Sequence, residues 1–206
     1  MIIFPKKNQK LDFNEFLTNY NSSIIEVLSS LDKAKLNNIS NILEQAIIKK
    51  KKIFTIGNGG AGSVANHFLC DFNKGIKLSS KKKFYPKVIS LVNSLETITA
   101  IGNDISFDSI FTSQIENYAE KGDILFAMSC SGTSKNIIDT IKWCNKKKLP
   151  VIFITGFLEK KLALVFKEHL NLNVKNYGIS EDVFSLIMHS ISQFIRFKNK
   201  SKNHIL

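Results

Sequence analysis

The chain has 206 residues, 44% of them hydrophobic, and carries a formal net charge of +12. This size predicts a single globular domain over residues 1–206, and apolar runs such as Val151–Ile154 are too short to cross a bilayer. The first residues lack a secretory signal pattern and the three cysteines lack metal-type spacing, so we expect a cytoplasmic protein with reduced thiols and no membrane partner.

The chain begins with helical periodicity and continues with short apolar runs. Residues from about 12 to 50 predict two helices with a break near Asp32. Five strand-like runs follow, at Lys52–Ile56, Lys87–Leu91, Ile124–Met128, Val151–Thr155 and, more weakly, Leu170–Val174. Amphipathic stretches separate them, at Val64–Phe72, Ile110–Glu120, Lys135–Lys147 and Glu159–Phe166, and a last helix covers about Glu181–Lys198.

Strands that alternate with helices are typical of a parallel sheet covered on both faces. The sequence therefore predicts an α/β fold with a five-stranded parallel sheet flanked by helices. We place this core at about residues 51–198, after an N-terminal helical extension. Ligands of such sheets bind at the carboxyl ends of the strands, so the loops after the first and third strands become the candidates for a site.

The first of these, the glycine loop Gly57–Gly62, follows a strand and precedes a helix. It fits the G-x-G-x-x-G pattern of dinucleotide sites, which also require an acidic residue at the end of the next strand to hold the ribose. That strand is followed by Val92 and Asn93, and the first carboxylate is Glu96, so we disfavour a dinucleotide. Three glycines in four residues instead indicate backbone that approaches a ligand closely.

The second is the serine loop, Ser129–Ser134, which places four hydroxyls and a glycine between a buried strand and a helix. Free N–H groups and the positive end of a helix dipole favour a phosphate there, and hydroxyls add donors. Helix capping by Thr133 or Ser134 would explain one hydroxyl and leave the others unexplained. No P-loop lysine follows the glycine, so nucleotide hydrolysis is not indicated.

A third group combines imidazoles and carboxylates. His67 and Asp71 are four residues apart on the helix that leaves the glycine loop, and Glu181 and His189 lie on the last helix. Such a set fits either a tetrahedral zinc site or an acid and base that move a proton. A histidine on an amphipathic helix is commonly only packed, and we assign no role to His169 or His204.

Lysine runs supply much of the charge, at Lys49–Lys52, Lys81–Lys83 and Lys146–Lys148. They contain no interleaved aromatics or arginines and fall where helices or loops should end. We interpret them as solvated surface and expect no nucleic-acid partner, although a positive field also favours an anionic substrate. The rival hypothesis, DNA binding, predicts salt-sensitive retention on DNA, but the first helices include no recognition helix.

The motifs together resemble the sugar isomerase (SIS) domain family, and within it the bacterial phosphoheptose isomerases. The resemblance is carried by Gly57-Asn58-Gly59-Gly60, His67, Gly102-Asn103-Asp104, Ser129-x-Ser131-Gly132-x-Ser134 and His189. It covers nearly the whole chain. It implies a flavodoxin-like, three-layer fold that assembles as a homotetramer, with active sites between subunits and with N-terminal helices that contribute to assembly.

The resemblance also implies a reaction and its residues. Members of the family convert sedoheptulose 7-phosphate to D-glycero-D-manno-heptose 7-phosphate, a precursor of lipopolysaccharide or capsule heptose. Substrate contacts fall on Asn58, Gly59, Gly60, Asn103, Asp104, Ser129, Cys130, Ser131 and Ser134. The zinc-ligand positions are His67, Asp71, Glu181 and His189, and the catalytic positions are Asp71, Glu181 and His189.

Three residues depart from the family pattern. Ala61 stands where a serine is usual, Asp71 where the heptose isomerases have Glu, and Glu181 where they often have Gln. The extra carboxylate favours a divalent cation. The shorter Asp71 leaves open whether it or Glu181 is the base and whether the substrate has seven carbons.

The leading hypothesis is therefore an aldose–ketose isomerase that acts on a phosphorylated sugar through an enediol. The alternative is a non-catalytic SIS protein that senses a phosphosugar or binds a protein partner. A protein that only binds a phosphosugar would need the serine loop alone. The joint presence of His67, Asp71, Glu181 and His189 therefore favours the enzyme.

Overall fold

The computed structural model describes residues 1–6, 10–80, 83–158 and 166–200. Its centre is the predicted sheet of five parallel strands, in the flavodoxin-like order β2-β1-β3-β4-β5. The strands are β1 (Lys52–Ile56), β2 (Lys87–Ser90), β3 (Ile124–Ser129), β4 (Val151–Thr155) and β5 (Glu168–Asn171). Within the described ranges, none of the helices combines the length and hydrophobicity needed to cross a membrane.

Helices cover both faces of this sheet. They are α1 (Phe13–Ser30), α2 (Lys33–Ile48), α3 (Gly59–Cys70), α4 (Lys77–Ser79), α5 (Leu95–Asp104), α6 (Thr112–Tyr118), α7 (Lys135–Lys146) and α8 (Tyr177–Asn199). A π-helical segment, Asp71–Ile76, joins α3 to α4, and a 3-10 turn, Phe107–Ser109, follows α5. One core lies between the sheet and α1, α2, α3 and α8, and the other between the sheet and α6 and α7 with the partly buried side of α5.

Strand β3 shows why the sheet has two cores. All six of its residues are buried, and alternate side chains point to opposite faces. Phe126 and Met128 enter the core beneath α3 and α8, whereas Leu125 and Ala127 enter the core beneath α7. A continuous apolar run is what a central parallel strand requires, since water reaches neither face.

The N-terminal helices are separated by a short extended connection, as predicted. The Asp12 carboxylate accepts from the Glu15 N–H at 2.9 Å and Glu15 bonds back to the Asp12 N–H, a capping box that starts α1. The Asp32 carboxylate accepts from the Lys35 N–H at 3.0 Å and starts α2. The Tyr20 hydroxyl of α1 donates to the Asp182 carboxylate at 2.7 Å, which ties α1 to the beginning of α8.

Helix α5 and strand β5 are two places where the structure differs from the sequence prediction. Helix α5 was not predicted, and none of its residues is fully buried. Strand β5 begins and ends earlier than the predicted Leu170–Val174, because the backbone turns at Asn173, whose φ of 57° lies in the left-handed region. The predicted helix at residues 159–166 lies almost entirely outside the described ranges.

Two lysine runs lie at the amino edge of the sheet. One connects α2 to β1 and the other connects α7 to β4. Lys50 and Lys148 have φ values of 55° and 59°, the left-handed conformation that commonly ends a helix. The runs therefore fall at helix ends, as predicted, and opposite the carboxyl edge that carries the glycine and serine loops. Lys81 and Lys82 lie outside the described ranges.

A buried histidine connects β4 to β5. The Thr155 hydroxyl donates its hydrogen to the Asn171 side-chain oxygen at 3.0 Å. Its oxygen therefore accepts the hydrogen bond of 2.7 Å from His169, which carries its proton on Nε2. Burial and, to a smaller extent, the nearby Lys35 ammonium together lower the pKa of His169 from 6.5 to about 4. The imidazole is therefore neutral in the folded protein at neutral pH.

We expect this histidine to make stability depend on pH. Between pH 6.5 and about 4 the unfolded chain binds a proton at His169 that the folded chain does not, so stability is present above this window and is lost as pH falls through it. His169→Gln keeps a donor toward Thr155 but cannot titrate. In urea unfolding experiments, lowering the pH from about 7 to 5 should reduce the free energy of unfolding of the wild type by about 2 kcal/mol more than that of the variant. Equal losses in both proteins would contradict the assignment.

Candidate functional site

The glycine and serine loops are neighbours at the carboxyl edge of the sheet. They follow β1 and β3, which pair directly with each other. From β1 the chain crosses to β2 on one side, and from β3 it crosses to β4 on the other. This is the switch point at which open parallel sheets form a crevice for ligands.

The glycine loop is shaped by close backbone packing. A methyl group at Gly57 would lie 2.6 Å from the Ala61 carbonyl carbon and oxygen and 2.8 Å from the Gly62 nitrogen. Gly59 has a φ of 54°, a conformation that favours glycine, and the space around its Cα is open. The strand can therefore turn directly into α3 and leave the backbone at Gly59 accessible.

In the serine loop, hydroxyls hold the turn and also remain available as donors. Ser129 Oγ accepts from the Gly132 N–H at 3.0 Å, and Ser131 Oγ accepts from the Thr133 N–H at 3.3 Å and the Thr133 hydroxyl at 3.2 Å. Two of the predicted phosphate ligands thus also form the turn. A hydroxyl that only accepts keeps its hydrogen, so Ser129 and Ser131 can still donate to a ligand.

The two helices that leave these loops have N-termini without the usual side-chain caps. Asn58 precedes α3 and Ser134 precedes α7, and neither side chain makes a capping hydrogen bond. Both residue types normally cap, so the first-turn N–H groups of α3 and the first two N–H groups of α7 are left for other acceptors, whereas the Ile137 N–H of α7 donates to Asn136 Oδ1. Two helix dipoles directed to one crevice favour an anion such as a phosphate.

Helices α3 and α8 run side by side in the same direction. Three contacts follow one another along the two helices. A methyl group at Gly60 would overlap the Glu181 carboxylate, and His67 lies edge-on against His189. Beyond them, the Arg196 side chain packs over Gly75. The ring centroids of His67 and His189 are 5.1 Å apart. This alignment brings residues of the glycine-loop helix and the last described helix together, although they are far apart in sequence.

His67, Asp71 and His189 form one cluster. Their candidate ligand atoms all lie within 4.8 Å of one another. His67 Nε2 is 3.6 Å from Asp71 Oδ1, His189 Nε2 is 3.5 Å from Asp71 Oδ2, and the Ser192 hydroxyl donates to Asp71 Oδ2 at 3.5 Å. Neighbouring ligands of a tetrahedral zinc are about 3.3 Å apart. Two imidazoles and a carboxylate, half open to solvent, therefore fit a metal with a free coordination position.

Glu181 lies outside this cluster, although the sequence analysis grouped it with these residues. Its carboxylate faces Gly60 and accepts a hydrogen bond from the Cys130 thiol at 3.8 Å, so it lies between the glycine and serine loops. Positions 181 and 189 are about 12 Å apart along α8 at about 1.5 Å per residue. The two carboxylates thus occupy different parts of the crevice, Glu181 beside the serine loop and Asp71 beside the histidines.

The environment of Cys130 makes its thiol a poor nucleophile. Burial and, to a smaller extent, the Glu181 carboxylate together raise the pKa of Cys130 to about 12. Burial likewise raises the pKa of Cys144 to about 12, whereas Cys70 is exposed. Since the thiolate is the reactive form, these two cysteines stay protonated and unreactive at neutral pH.

We expect iodoacetamide at about pH 8 to alkylate Cys70 alone in the folded protein, because the other two thiols are buried and protonated. All three cysteines should react in concentrated guanidinium chloride. Peptide mass spectrometry distinguishes the sites. Rapid alkylation of Cys130 in the native protein would show that the serine loop opens.

The remaining predicted substrate residues lie apart from the loops. Asn103 and Asp104 occupy the last turn of α5, both exposed, and Asn103 Nδ2 donates to Asp104 Oδ1 at 2.8 Å. Ala61 is buried in α3, so its methyl group contributes to the core. His169 belongs to the β4–β5 network, and His204 lies outside the described ranges. The predicted roles of Asn103 and Asp104 in binding stay predictions.

Sequence reasoning missed two residues that contact the site. Asn136, 2% exposed, exchanges two hydrogen bonds of 2.9 Å with Asn58, and Ser192 bonds to Asp71. A buried asparagine in the first turn of α7 is a detectable signal, because that position is normally apolar or solvated. Nothing in the sequence distinguishes Ser192 from the other serines of α8.

Comparison with known proteins decides the family. The SIS domain profile matches residues 16–156. The chain belongs to the SIS domain family. It is 36% identical to the phosphoheptose isomerase of Buchnera aphidicola over 72% of this chain and 75% of that protein. It is 30% identical to that of Colwellia psychrerythraea over 75% of this chain and 79% of that protein.

A solved phosphoheptose isomerase structure also resembles this chain in fold. The phosphoheptose isomerase of Neisseria gonorrhoeae superposes with a TM-score of 0.75 at 25% identity, over 87% of this chain and 94% of that one. This SIS domain therefore has the sheet order and the flanking helices of an isomerase of that type.

Proposed function

We propose that this phosphosugar isomerase converts sedoheptulose 7-phosphate into D-glycero-D-manno-heptose 7-phosphate. The relatives named for phosphoheptose isomerisation support the substrate class. The observation that carries the proposal is the placement of an anion-binding pair of loops and a carboxylate–dihistidine cluster on the aligned helices α3 and α8. One part binds a phosphate, and the other offers acid–base groups at a distance from it.

In this proposal the phosphate binds the serine loop and anchors the end of the sugar that does not react. Ser129, Ser131 and Ser134 donate hydroxyl hydrogens, and the first two N–H groups of α7 donate as well. The glycine loop brings the backbone of Gly59 and Gly60 close to the sugar. Binding energy from the phosphate end then positions carbons 1 and 2 for reaction.

The reacting carbons would lie toward the His67–Asp71–His189 cluster. We assign proton removal from carbon to the Asp71 carboxylate, because Glu181 lies beside the serine loop, where the phosphate charge would be. His189 moves a proton between the two oxygens of the enediol. Glu181 holds sugar hydroxyls between the loops, and Asn103 and Asp104 contact the sugar from α5.

His67, Asp71 and His189 would hold a zinc ion, with Glu181 as a further ligand only after its side chain turns away from Cys130. Zinc bound there supplies a Lewis acid that polarises the sugar carbonyl. The donor set suits this metal, because neutral imidazole and carboxylate are its common ligands and three protein ligands leave a position open.

The test is turnover. Purified protein with added zinc should form the aldose from sedoheptulose 7-phosphate, measured by NMR, and should act more slowly on fructose 6-phosphate and ribulose 5-phosphate. His189→Ala serves as the inactive control. No turnover of any of these ketose phosphates would contradict the isomerase proposal and favour the non-catalytic SIS alternative.

The proposed assembly is a cytoplasmic homotetramer of single-domain chains, with N-terminal helices at the subunit contacts. Exposed apolar side chains on α1 and α8 support this, among them Phe13, Ile25, Phe194 and Phe197. A groove of about 300 Å³ between α2 and α8 is lined by Leu36, Leu186 and other apolar residues. Light scattering measures the mass directly, and a monomer would contradict the assembly.

A further inference from the structure

Asn58 and Asn136 form a reciprocal amide pair. Asn58 Nδ2 donates to Asn136 Oδ1 and Asn136 Nδ2 donates to Asn58 Oδ1, both at 2.9 Å. Asn136 Oδ1 also accepts from the Ile137 N–H at 2.9 Å. Asn136 is 2% exposed, so its amide is committed to these partners.

This asparagine pair joins the two halves of the crevice. Asn58 is the second residue of the glycine loop after β1, and Asn136 lies in the first turn of α7, two residues beyond the serine loop after β3. Its two hydrogen bonds therefore fix the separation of the α3 and α7 N-termini. The neighbouring strands alone fix only the positions where the loops begin.

The pair also explains why α3 has no side-chain cap. Asn58 stands at the N-cap position with extended backbone, the arrangement in which asparagine normally accepts from its own helix. Its oxygen is instead occupied by Asn136 across the crevice. The first-turn N–H groups of α3 thus stay available to an anion.

We propose that the Asn58–Asn136 pair is a positioning device that leaves the N-terminus of α3 uncapped and holds the N-termini of α3 and α7 at the separation that a phosphate requires. The inference deepens the proposed function and rests on it for the identity of the ligand. It changes the role of Asn58, whose side chain acts through Asn136 while its neighbours Gly59 and Gly60 face the substrate. Asn136 becomes a specific requirement of the site.

Replacing Asn58 with Asp separates positioning from stability. A carboxylate cannot donate to Asn136 Oδ1, and it can cap α3 and place a negative charge at the anion site. We expect Asn58→Asp to keep or raise the melting temperature while inorganic phosphate binds at least about tenfold more weakly. The KM for sedoheptulose 7-phosphate should rise by more than kcat falls.

Alanine variants test whether the pair acts as a unit. Asn58→Ala and Asn136→Ala should each weaken phosphate binding by about tenfold, and the double variant should be within about twofold of the weaker single variant. Asn199→Ala is the matched control, because Asn199 Nδ2 also makes two hydrogen bonds, to Glu44 and to the Ile195 carbonyl, at the far end of α8. It should lower stability and leave phosphate affinity unchanged.

Several results would overturn the inference. Additive losses in the double variant, equal weakening in Asn199→Ala, or unchanged phosphate affinity in Asn58→Asp would each do so. Hydrogen exchange of the free protein supplies a readout without ligand: Asn136→Ala should accelerate exchange at Gly59–Gly62, although the substitution lies in α7. If wild-type protein bound neither phosphate nor substrate, the proposed function would fail, and this exchange would still decide whether the pair couples the loops.

Discussion

Asp71→Asn should lower kcat for sedoheptulose 7-phosphate by about 10³-fold, the largest effect on activity that we expect from one substitution. The amide has the size of the carboxylate but cannot take a proton from carbon. It also replaces the charged ligand between His67 Nε2 and His189 Nε2, which lie 3.6 and 3.5 Å from the carboxylate oxygens. Steady-state kinetics, together with solvent deuterium incorporation into the product, measures the loss.

Two variants make this prediction specific. Asp71→Glu restores a carboxylate with one more methylene and should stay within about tenfold of wild-type activity. Glu181→Gln should mainly raise KM, because Glu181 lies beside the serine loop and outside the cluster. If Glu181→Gln abolished deuterium incorporation and Asp71→Asn did not, Glu181 would be the base and our assignment would be wrong.

Gly57→Ala should destabilise the protein by about 3 kcal/mol or more, the largest effect on stability that we expect in the site. The new methyl group would lie 2.6 Å from backbone atoms of Ala61, and neither the strand nor the helix can move away without breaking its hydrogen bonds. Denaturant unfolding measures the change. Phosphate affinity should fall with it, because the same contact sets the path of the glycine loop.

Other glycines provide matched controls for Gly57→Ala. Gly59→Ala meets no atom within 4 Å but requires a φ of 54°, so we expect a loss of about 1 kcal/mol. Gly102→Ala, inside α5, meets only Ile110 at 3.9 Å and should be neutral or stabilising by about 0.5 kcal/mol. Equal effects at Gly57 and Gly102 would show that the tight packing of the glycine loop is not maintained in solution.

The sheet and its loops could be predicted because their signals are local. Central strands such as β3 are continuously apolar, and the glycine and serine loops interrupt that pattern at the ends of β1 and β3. His67 and Asp71 were predictable as a pair because residues four positions apart on a helix share a face. Helix α5 was not predicted, although Ile98 and Ile101 recur at helical spacing and pack against the core beneath α7.

What the sequence could not supply is the pairing of distant side chains. The position of Glu181 against Cys130, rather than beside His67, depends on the way α8 lies along α3. The Asn58–Asn136 pair depends on the spacing of two parallel strands. Such contacts are fixed by tertiary packing, and neither composition nor periodicity records them.

The alignment of α3 with α8 also determines when the site can exist during folding. His67 belongs to the first strand–helix unit, whereas His189 lies on the helix that follows all five strands. A chain that has formed its sheet but not docked α8 has the glycine and serine loops and lacks one imidazole of the cluster. Metal binding would therefore report completion of the fold and would stabilise the docked helix over the undocked one.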